Sequence, residues 1–456
     1  MIKIKHLLNQ TLKLKFLSLN NLLIIFIVLE ISFFQLSSYL TGAAKIPHND
    51  SWSHAVIAER WSSQGVFKLV GWNRSFLAGM IIPFGPFVST PLAQNILVGF
   101  LSVIGILFVY LISRYYLDKR KSLLITFCFI SIPDYGLLST SFMTDIPAST
   151  FTFASLYFFE KFRRGSKLID LSAFAALGIW ACFIREQAFI PIVAAFVFLI
   201  SKRKKHLLVF GVLILFVAIL LFSEVLRRRM PNSDSLDIVF SPNLFFSTIP
   251  RMLIFIGLCL VPFSFSLILG LRLSKSTTVA LAACLLFLLL FIANRLPTAM
   301  MGNYLKPSGA YSEVIFQGES ITLFNDLLWF AILIVSTISI VISAGNILMF
   351  KISNWDFPLI VSILIISSTL AQALFGQSVF SRYLVPAIPF IFIFLFNTVK
   401  GSQVNWNILF LMMPQLLLTF FLTSNAHFRD FARWDFALQV HNKNPNWQVD
   451  GGFEYN

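Results

Sequence analysis

The chain has 456 residues, 57% of them hydrophobic and only 12% charged, with a formal net charge of +15. About a quarter of the residues in a soluble protein are charged, so a soluble core is excluded. No basic solvated face accompanies the positive balance, which excludes nucleic acid as a partner and leaves the topogenic role of lysine and arginine in a membrane protein.

The N-terminus carries Lys3, Lys5, Lys13 and Lys15 ahead of an apolar run from Leu22 to Leu40. That run is longer than a signal-peptide core, and no small-residue cleavage site follows it. It reads as a retained first span whose N-terminus lies inside. Further apolar runs lie near 92–113, 122–140, 146–160, 168–184, 187–201, 207–226, 251–271, 276–294, 327–350, 357–376, 383–399 and 404–424. With the first, at 20–40, they give about thirteen spans of a length suited to a hydrocarbon core of about 30 Å. The expected fold is all-α and polytopic, with a transmembrane domain over 1–426 and a short outer tail over 427–456.

Lysine and arginine orient the spans. Lys119-Arg120-Lys121, Lys161 with Arg163, Arg164 and Lys167, Lys202 to Lys205, and Arg272 with Lys275 fall on alternate, short loops. Those loops are expected inside. The longer loops 41–91, 227–250 and 295–326 then face outward. Arg227-Arg228-Arg229 breaks the pattern; it either serves an anionic ligand outside or marks a miscounted span. Cys128, Cys182, Cys259 and Cys284 lie in apolar runs without metal or redox spacing and read as packing residues.

In the first outer loop, Trp52, Val56, Ile57 and Trp61 recur at helical spacing. They predict an amphipathic helix on the membrane surface, ended by Gly65. Phe76 to Pro91 is apolar but broken by Gly79, Pro83, Gly85 and Pro86, and reads as an interfacial or re-entrant piece.

Polar islands interrupt this apolar background at the outer ends of spans. Asp50, beside His48 and Asn49, opens the surface helix; it is an N-cap, a general base at the interface, or both. Asp145 stands in Met143-Thr144-Asp145-Ile146-Pro147, as a helix cap or as a second acid. Together with Asp50 and His54 it would make a ligand set for a divalent metal, magnesium or manganese. Arg185-Glu186 is an interfacial ion pair or a phosphate contact. Arg382-Tyr383 is an interfacial anchor or offers a guanidinium fork suited to phosphate. Glu30 and Glu224 lie within apolar spans, where an acid is costly. Arg295, Asn303 and Tyr304, in the loop 295–326, are candidates for acceptor or lid contacts.

Taken in order, an Asp after the first span, an amphipathic helix ending in Gly, a Met-Thr-Asp-x-Pro junction and a Phe-x-Arg-Tyr-Leu-x-Pro-x-x-Pro segment resemble the GT-C glycosyltransferases. The resemblance is to bacterial relatives of protein O-mannosyltransferases and of lipid A aminoarabinose transferase, best over 45–200 and again at 380–390, with a catalytic module near 20–225. It implies a polyprenyl-phosphate-linked sugar as donor and an envelope glycan, lipid or protein as acceptor. It also implies transfer with inversion on the outer face of the bacterial inner membrane. By position, Asp50 matches the catalytic base, Asp145 a second acid near the metal or acceptor, and Arg382 the cation near the lipid phosphate. Many relatives carry two consecutive acids in the first loop, whereas Asn49 and Ser51 flank Asp50 here. Two other readings stay open: a lipid-linked sugar flippase or transporter, and an envelope polysaccharide polymerase or ligase. A transporter is expected to show repeats and broken helices near mid-bilayer; no internal repeat is visible.

Overall fold

The computed structural model describes residues 19–48, 50–70, 78–201, 206–230, 238–267, 275–295, 299–301, 323–349, 356–398 and 407–447. The protein is all-α, and no strand occurs among the described residues. The helices in chain order are α1 (Leu19–Leu40), α2 (Ser51–Gln64), α3 (Ala78–Phe84), α4 (Pro91–Tyr116), α5 (Lys119–Ile130), α6 (Pro133–Leu138), α7 (Asp145–Gly165) and α8 (Leu168–Ile184). They continue as α9 (Phe189–Ser201), α10 (His206–Arg228), α11 (Pro242–Leu267), α12 (Lys275–Arg295), α13 (Asp326–Met349), α14 (Phe357–Leu374), α15 (Ile388–Thr398) and α16 (Asn407–Lys443).

Six helices among the described residues are long and apolar enough to cross a membrane: most of α1, α4, most of α10, and α11, α13 and α14. Four apolar helices are shorter, around α8, α9, α12 and α15. Their outward faces keep large apolar side chains exposed, among them Leu29, Phe100, Phe222 and Phe287. In water that pattern would be a liability; against lipid it is the expected surface, because a helix satisfies its own backbone polar groups there. Inside, aromatic rings fill the bundle: Phe159 lies 4.2 Å from Phe357 and Phe174 4.7 Å from Phe196, centroid to centroid. Between α11 and α13, Ser264 meets Ser339 and Ser343 at 2.8 and 2.7 Å, the small polar contacts that hold membrane helices together.

Two stretches depart from the expected spans. The run 122–140 is not one helix. α5 stops at Ile130, Ile132 is extended with ψ of 140°, and Pro133 opens the six-residue α6. A proline disfavours helical backbone in the residue before it and removes an N–H from the ladder, so the chain breaks there. The last helix continues past 424: α16 runs for 37 residues, through positions read from sequence as an outer tail. At 1.5 Å per residue it is about 55 Å long, well beyond the thickness of a hydrocarbon core.

The first-loop helix forms as expected, and Gly65 ends it with φ of 66° and an N–H bonded to Trp61 O at 3.0 Å. Its buried face is Ser53, His54, Ile57 and Ala58 rather than the stripe that includes Trp52 and Val56. Trp61 turns toward the interrupted apolar piece, where α3 forms, and its indole N–H donates to Ile82 O at 3.2 Å. The helix therefore packs onto the bundle as well as resting on its surface.

Candidate functional site

Four polar side chains separated by up to 332 positions of sequence converge at one end of the bundle. α1 and α8 finish there, and α7 and α15 begin there. The backbone brings each one in for a local reason. Asp50 ends the short connection from α1 into α2. Asp145 lies in the first turn of α7, where an acid suits the positive end of the helix dipole and Pro147 lacks only an N–H that would be unpaired anyway. Arg185 is extended between α8 and the 3-10 turn Glu186–Ala188. Arg382 sits in a 3-10 turn, Ser381–Ala387, leading into α15. The approach to that turn is fixed upstream: Gly376 has φ of +75°, and a Cβ there would fall 2.7 Å from Val239 O. Ser241 N–H donates to Leu374 O at 2.7 Å and holds the same corner.

Side-chain geometry ties the four together. Arg382 Nη2 lies 3.0 Å from Asp50 Oδ2, and Arg382 Nε lies 4.0 Å from Asp145 Oδ1. Arg185 Nη1 lies 2.9 Å from the same Asp145 Oδ1 and donates to Thr144 Oγ1 at 2.9 Å. Arg185 Nε donates to Gln187 Oε1. Both guanidiniums lie against the Tyr383 ring, 5.0 Å from its centroid for Arg185 and 5.8 Å for Arg382. Arg382 also covers the Phe380 ring at 5.1 Å. Asp145 and Arg382 are buried, while the Asp50 side chain keeps 24% of its surface exposed.

Several sequence expectations resolve here. Asp50 makes no side-chain cap bond to α2; its carboxylate is on Arg382. Arg185 has Asp145 as an ion partner at 2.9 Å. Arg228, expected near an anionic ligand, is exposed and pairs with Glu224 at 2.8 Å, one turn away on α10. Glu30 is buried and accepts from Ser131 Oγ at 3.0 Å. Arg295 is exposed at the end of α12. Asn303 and Tyr304 lie outside the described residues.

Beside this cluster opens a small cleft, partly continuous with solvent. Asp145, Arg185, Arg382 and Tyr383 form one wall. Ser149 and Thr152 of α7, Gln187, and Ser368, Thr369 and Gln372 of α14 form the rest of its polar lining. Gln187 Nε2 reaches Gln372 Oε1 at 3.4 Å. Sequence reading passed over Gln187, in the turn between α8 and α9, and Gln372, although an amide in the last turn of the otherwise apolar α14 is a visible signal. It also passed over Asp134, fully buried on α6 within electrostatic reach of Asp145 and Arg382. Pro133-Asp134 inside an apolar run was the mark that could have found it.

The expected metal ligands do not assemble. Asp50 is held by Arg382, Asp145 faces both arginines, and His54 Nδ1 donates to Phe142 O at 3.0 Å. No group of three or more metal-ligating side chains comes together among the described residues. A donor set whose carboxylates are already paired with guanidiniums does not fit a divalent cation. The cleft wall presents two guanidiniums and the Asp145 carboxylate around the Tyr383 ring, with Asp50 on the far side of Arg382.

Residues 89–227, which include Asp145 and Arg185 but not Asp50 or Arg382, match the family model described as dolichyl-phosphate-mannose-protein mannosyltransferase. Over this segment the chain is similar to the protein mannosyltransferases. Its long apolar helices are those of a multi-pass membrane protein. Among solved structures it is similar to ArnT from Cupriavidus metallidurans bound to undecaprenyl phosphate, at 11% identity and a TM-score of 0.46, over 96% of this chain and 85% of that one. The apo form of the same protein aligns at 11% identity and 0.45, over 95% and 84%. No curated protein matches the chain in sequence.

Proposed function

We propose that this protein moves a hexose or pentose from a polyprenyl-phosphate-linked donor to an envelope acceptor, a glycolipid, polysaccharide or protein. The reaction takes place on the outer face of the bacterial inner membrane. The observation that carries this reading is Arg382, which touches a partly exposed carboxylate on one side and borders an arginine-walled cleft on the other.

The chemistry follows from the charges. The donor is an amphiphile whose phosphate diester must sit at the interface beside lipid, and Arg382 and Arg185 supply the cations it needs. Asp50 accepts the proton of the acceptor hydroxyl as that oxygen attacks the anomeric carbon. The bond from the anomeric carbon to the phosphate oxygen breaks, and the pair of electrons leaves on polyprenyl phosphate. The extra negative charge develops where the two guanidiniums already stand, so no reorganisation is needed to stabilise it. Attack from the side opposite the phosphate inverts the anomeric centre. The hydroxyls of Ser149, Thr152, Ser368 and Thr369 and the amides of Gln187 and Gln372 line the space beside the phosphate site and suit a sugar. The family name of the matched segment specifies a dolichyl-phosphate-linked mannose, a donor of this same class. Sidedness follows from the lysine and arginine pattern of the loops.

Mass spectrometry of envelope glycolipids, glycans and glycoproteins from strains with and without the gene tests the proposal. The expected result is one glycosylated species that disappears with the gene, with the unglycosylated acceptor left in its place. Identical envelopes with the movement of a lipid-linked sugar across the membrane altered would instead favour a transporter.

A further inference from the structure

The outer turns of α16 approach the first loop through a buried polar cluster that the proposed chemistry does not use. His427 has Ser37 Oγ at 3.1 Å from Nδ1 and Thr140 Oγ1 at 2.9 Å from Nε2. One turn on, Asp430 Oδ2 lies 3.2 Å from His48 Nδ1. The other nitrogen of the His48 ring, Nε2, lies 2.8 Å from Ala43 O. Both ring nitrogens of His48 thus face oxygen atoms, a carboxylate and a carbonyl, which fixes the ring between α16 and the loop after α1. Arg429 Nη2 reaches Asp430 Oδ1 at 3.3 Å. His48, His427 and Asp430 are each no more than 3% exposed.

A second contact seals the same joint. Gly42 has φ of +84°, and a Cβ there would lie 2.5 Å from the Phe431 ring. The loop after α1 therefore has one seat against α16. His48, six residues further on, is two residues from Asp50. His48 N–H donates to Ser51 Oγ at 2.6 Å and Ser51 N–H returns to His48 O at 3.1 Å, so the two residues bracket Asp50. Asp50 makes no cap bond of its own to α2. Its position is set by what brackets it and by Arg382.

We infer that Asp430 and His48 are positioning residues: the extension of α16 grips the first loop through this ion pair and holds the Asp50 carboxylate beside the cleft that Arg382 lines. The inference rests on the proposed role of Asp50 as base. A carboxylate displaced by about 1 Å from its acceptor costs up to about 100-fold in rate, whereas the arginines that hold phosphate are seated by other elements, Arg382 in the turn before α15 and Arg185 after α8.

The test uses full-length protein in a deletion strain and the same protein purified. Asp430→Leu and His48→Phe are expected to insert at wild-type level and to lower the glycosylated product by about 10-fold to 100-fold. Binding of undecaprenyl phosphate to the purified variants is expected to stay within about twofold of wild type, and Asp430→Glu to recover much of the product. If Asp430→Leu is lost from the membrane, the near-isosteric Asp430→Asn supplies the same comparison. Wild-type product from an inserted Asp430→Leu or Asp430→Asn overturns the inference, as does a loss of undecaprenyl phosphate binding that parallels the loss of product. A wild-type gene that restores no product overturns the glycosyltransferase reading itself, and the positioning role falls with it.

Discussion

Arg382 Nη2 rests 3.0 Å from Asp50 Oδ2, so the cation proposed for the donor phosphate and the carboxylate proposed as base hold each other beside the cleft that Arg382 lines. The pair has a consequence for order of events. A phosphate diester arriving at Arg382 competes with Asp50 for the same N–H groups, and the carboxylate is freed as the donor seats. Arg382→Ala is therefore expected to weaken undecaprenyl phosphate binding by about 10-fold to 100-fold, the equivalent of one charge-assisted hydrogen bond of about 1.5–3 kcal/mol. Arg382→Lys keeps the charge but loses the planar fork and recovers only part of the affinity. Titration of purified variants with undecaprenyl phosphate checks this; equal affinity in wild type and Arg382→Ala would reduce the residue to an interfacial anchor.

Asp145 serves two arginines at once, and both facing side chains are largely buried: Arg185 is 15% and Arg382 7% exposed, against 3% for Asp145. Removing the shared carboxylate leaves two guanidiniums at the same rim without it. Asp145→Ala is expected to destabilise the protein by about 3–5 kcal/mol, the range for breaking a buried pair from one side. Asp145→Asn, which still accepts a hydrogen bond, is expected to lose less. Thermal unfolding in detergent measures both, and an unchanged melting temperature in Asp145→Ala would show that the arginines find other partners.

The rim residues were legible because a charge among apolar neighbours is expensive and stands out: insertion of such a residue well inside a bilayer costs about 2.5–3.5 kcal/mol. Asp50, Asp145, Arg185 and Arg382 were all marked that way, and loop charge assigned them to one face before any coordinates. Their pairing was not legible. Arg185 is adjacent to Glu186 in sequence, yet the extended backbone at Arg185 and the 3-10 turn that follows aim its guanidinium at Asp145. The grip of α16 on the first loop was hidden for a different reason. Residues 425–443 carry charges at a density that reads as a solvated tail, and only the continuation of the helix puts Asp430 on an inward face. Pro133 was a plain break in the run 122–140 that hydrophobicity alone passed over, and Asp134 went unseen with it.

Asp430 also predicts a response to acid. Burial pushes its carboxyl up, but the hydrogen bond from His48 and the charges of Arg429, His48 and Arg433 outweigh it and leave the group below the ordinary carboxylate range. A carboxylate with a depressed folded value contributes stability above its unfolded value near 4, and that contribution is lost as the pH falls through the folded value. The melting temperature of wild type is thus expected to exceed that of Asp430→Asn at pH 6 and to converge on it as the pH is lowered toward 3. A gap that stays constant over that range would show that the ion pair carries no charge-dependent stability.

The central claim is that Asp50 takes the acceptor proton, and one substitution addresses it. Asp50→Asn keeps the size of the side chain and a hydrogen-bond acceptor toward Arg382, and removes the base. Expressed in the deletion strain at wild-type level in the membrane, it is expected to leave the glycosylated envelope product at least about 100-fold below wild type by mass spectrometry. Wild-type amounts of product from Asp50→Asn would contradict the account.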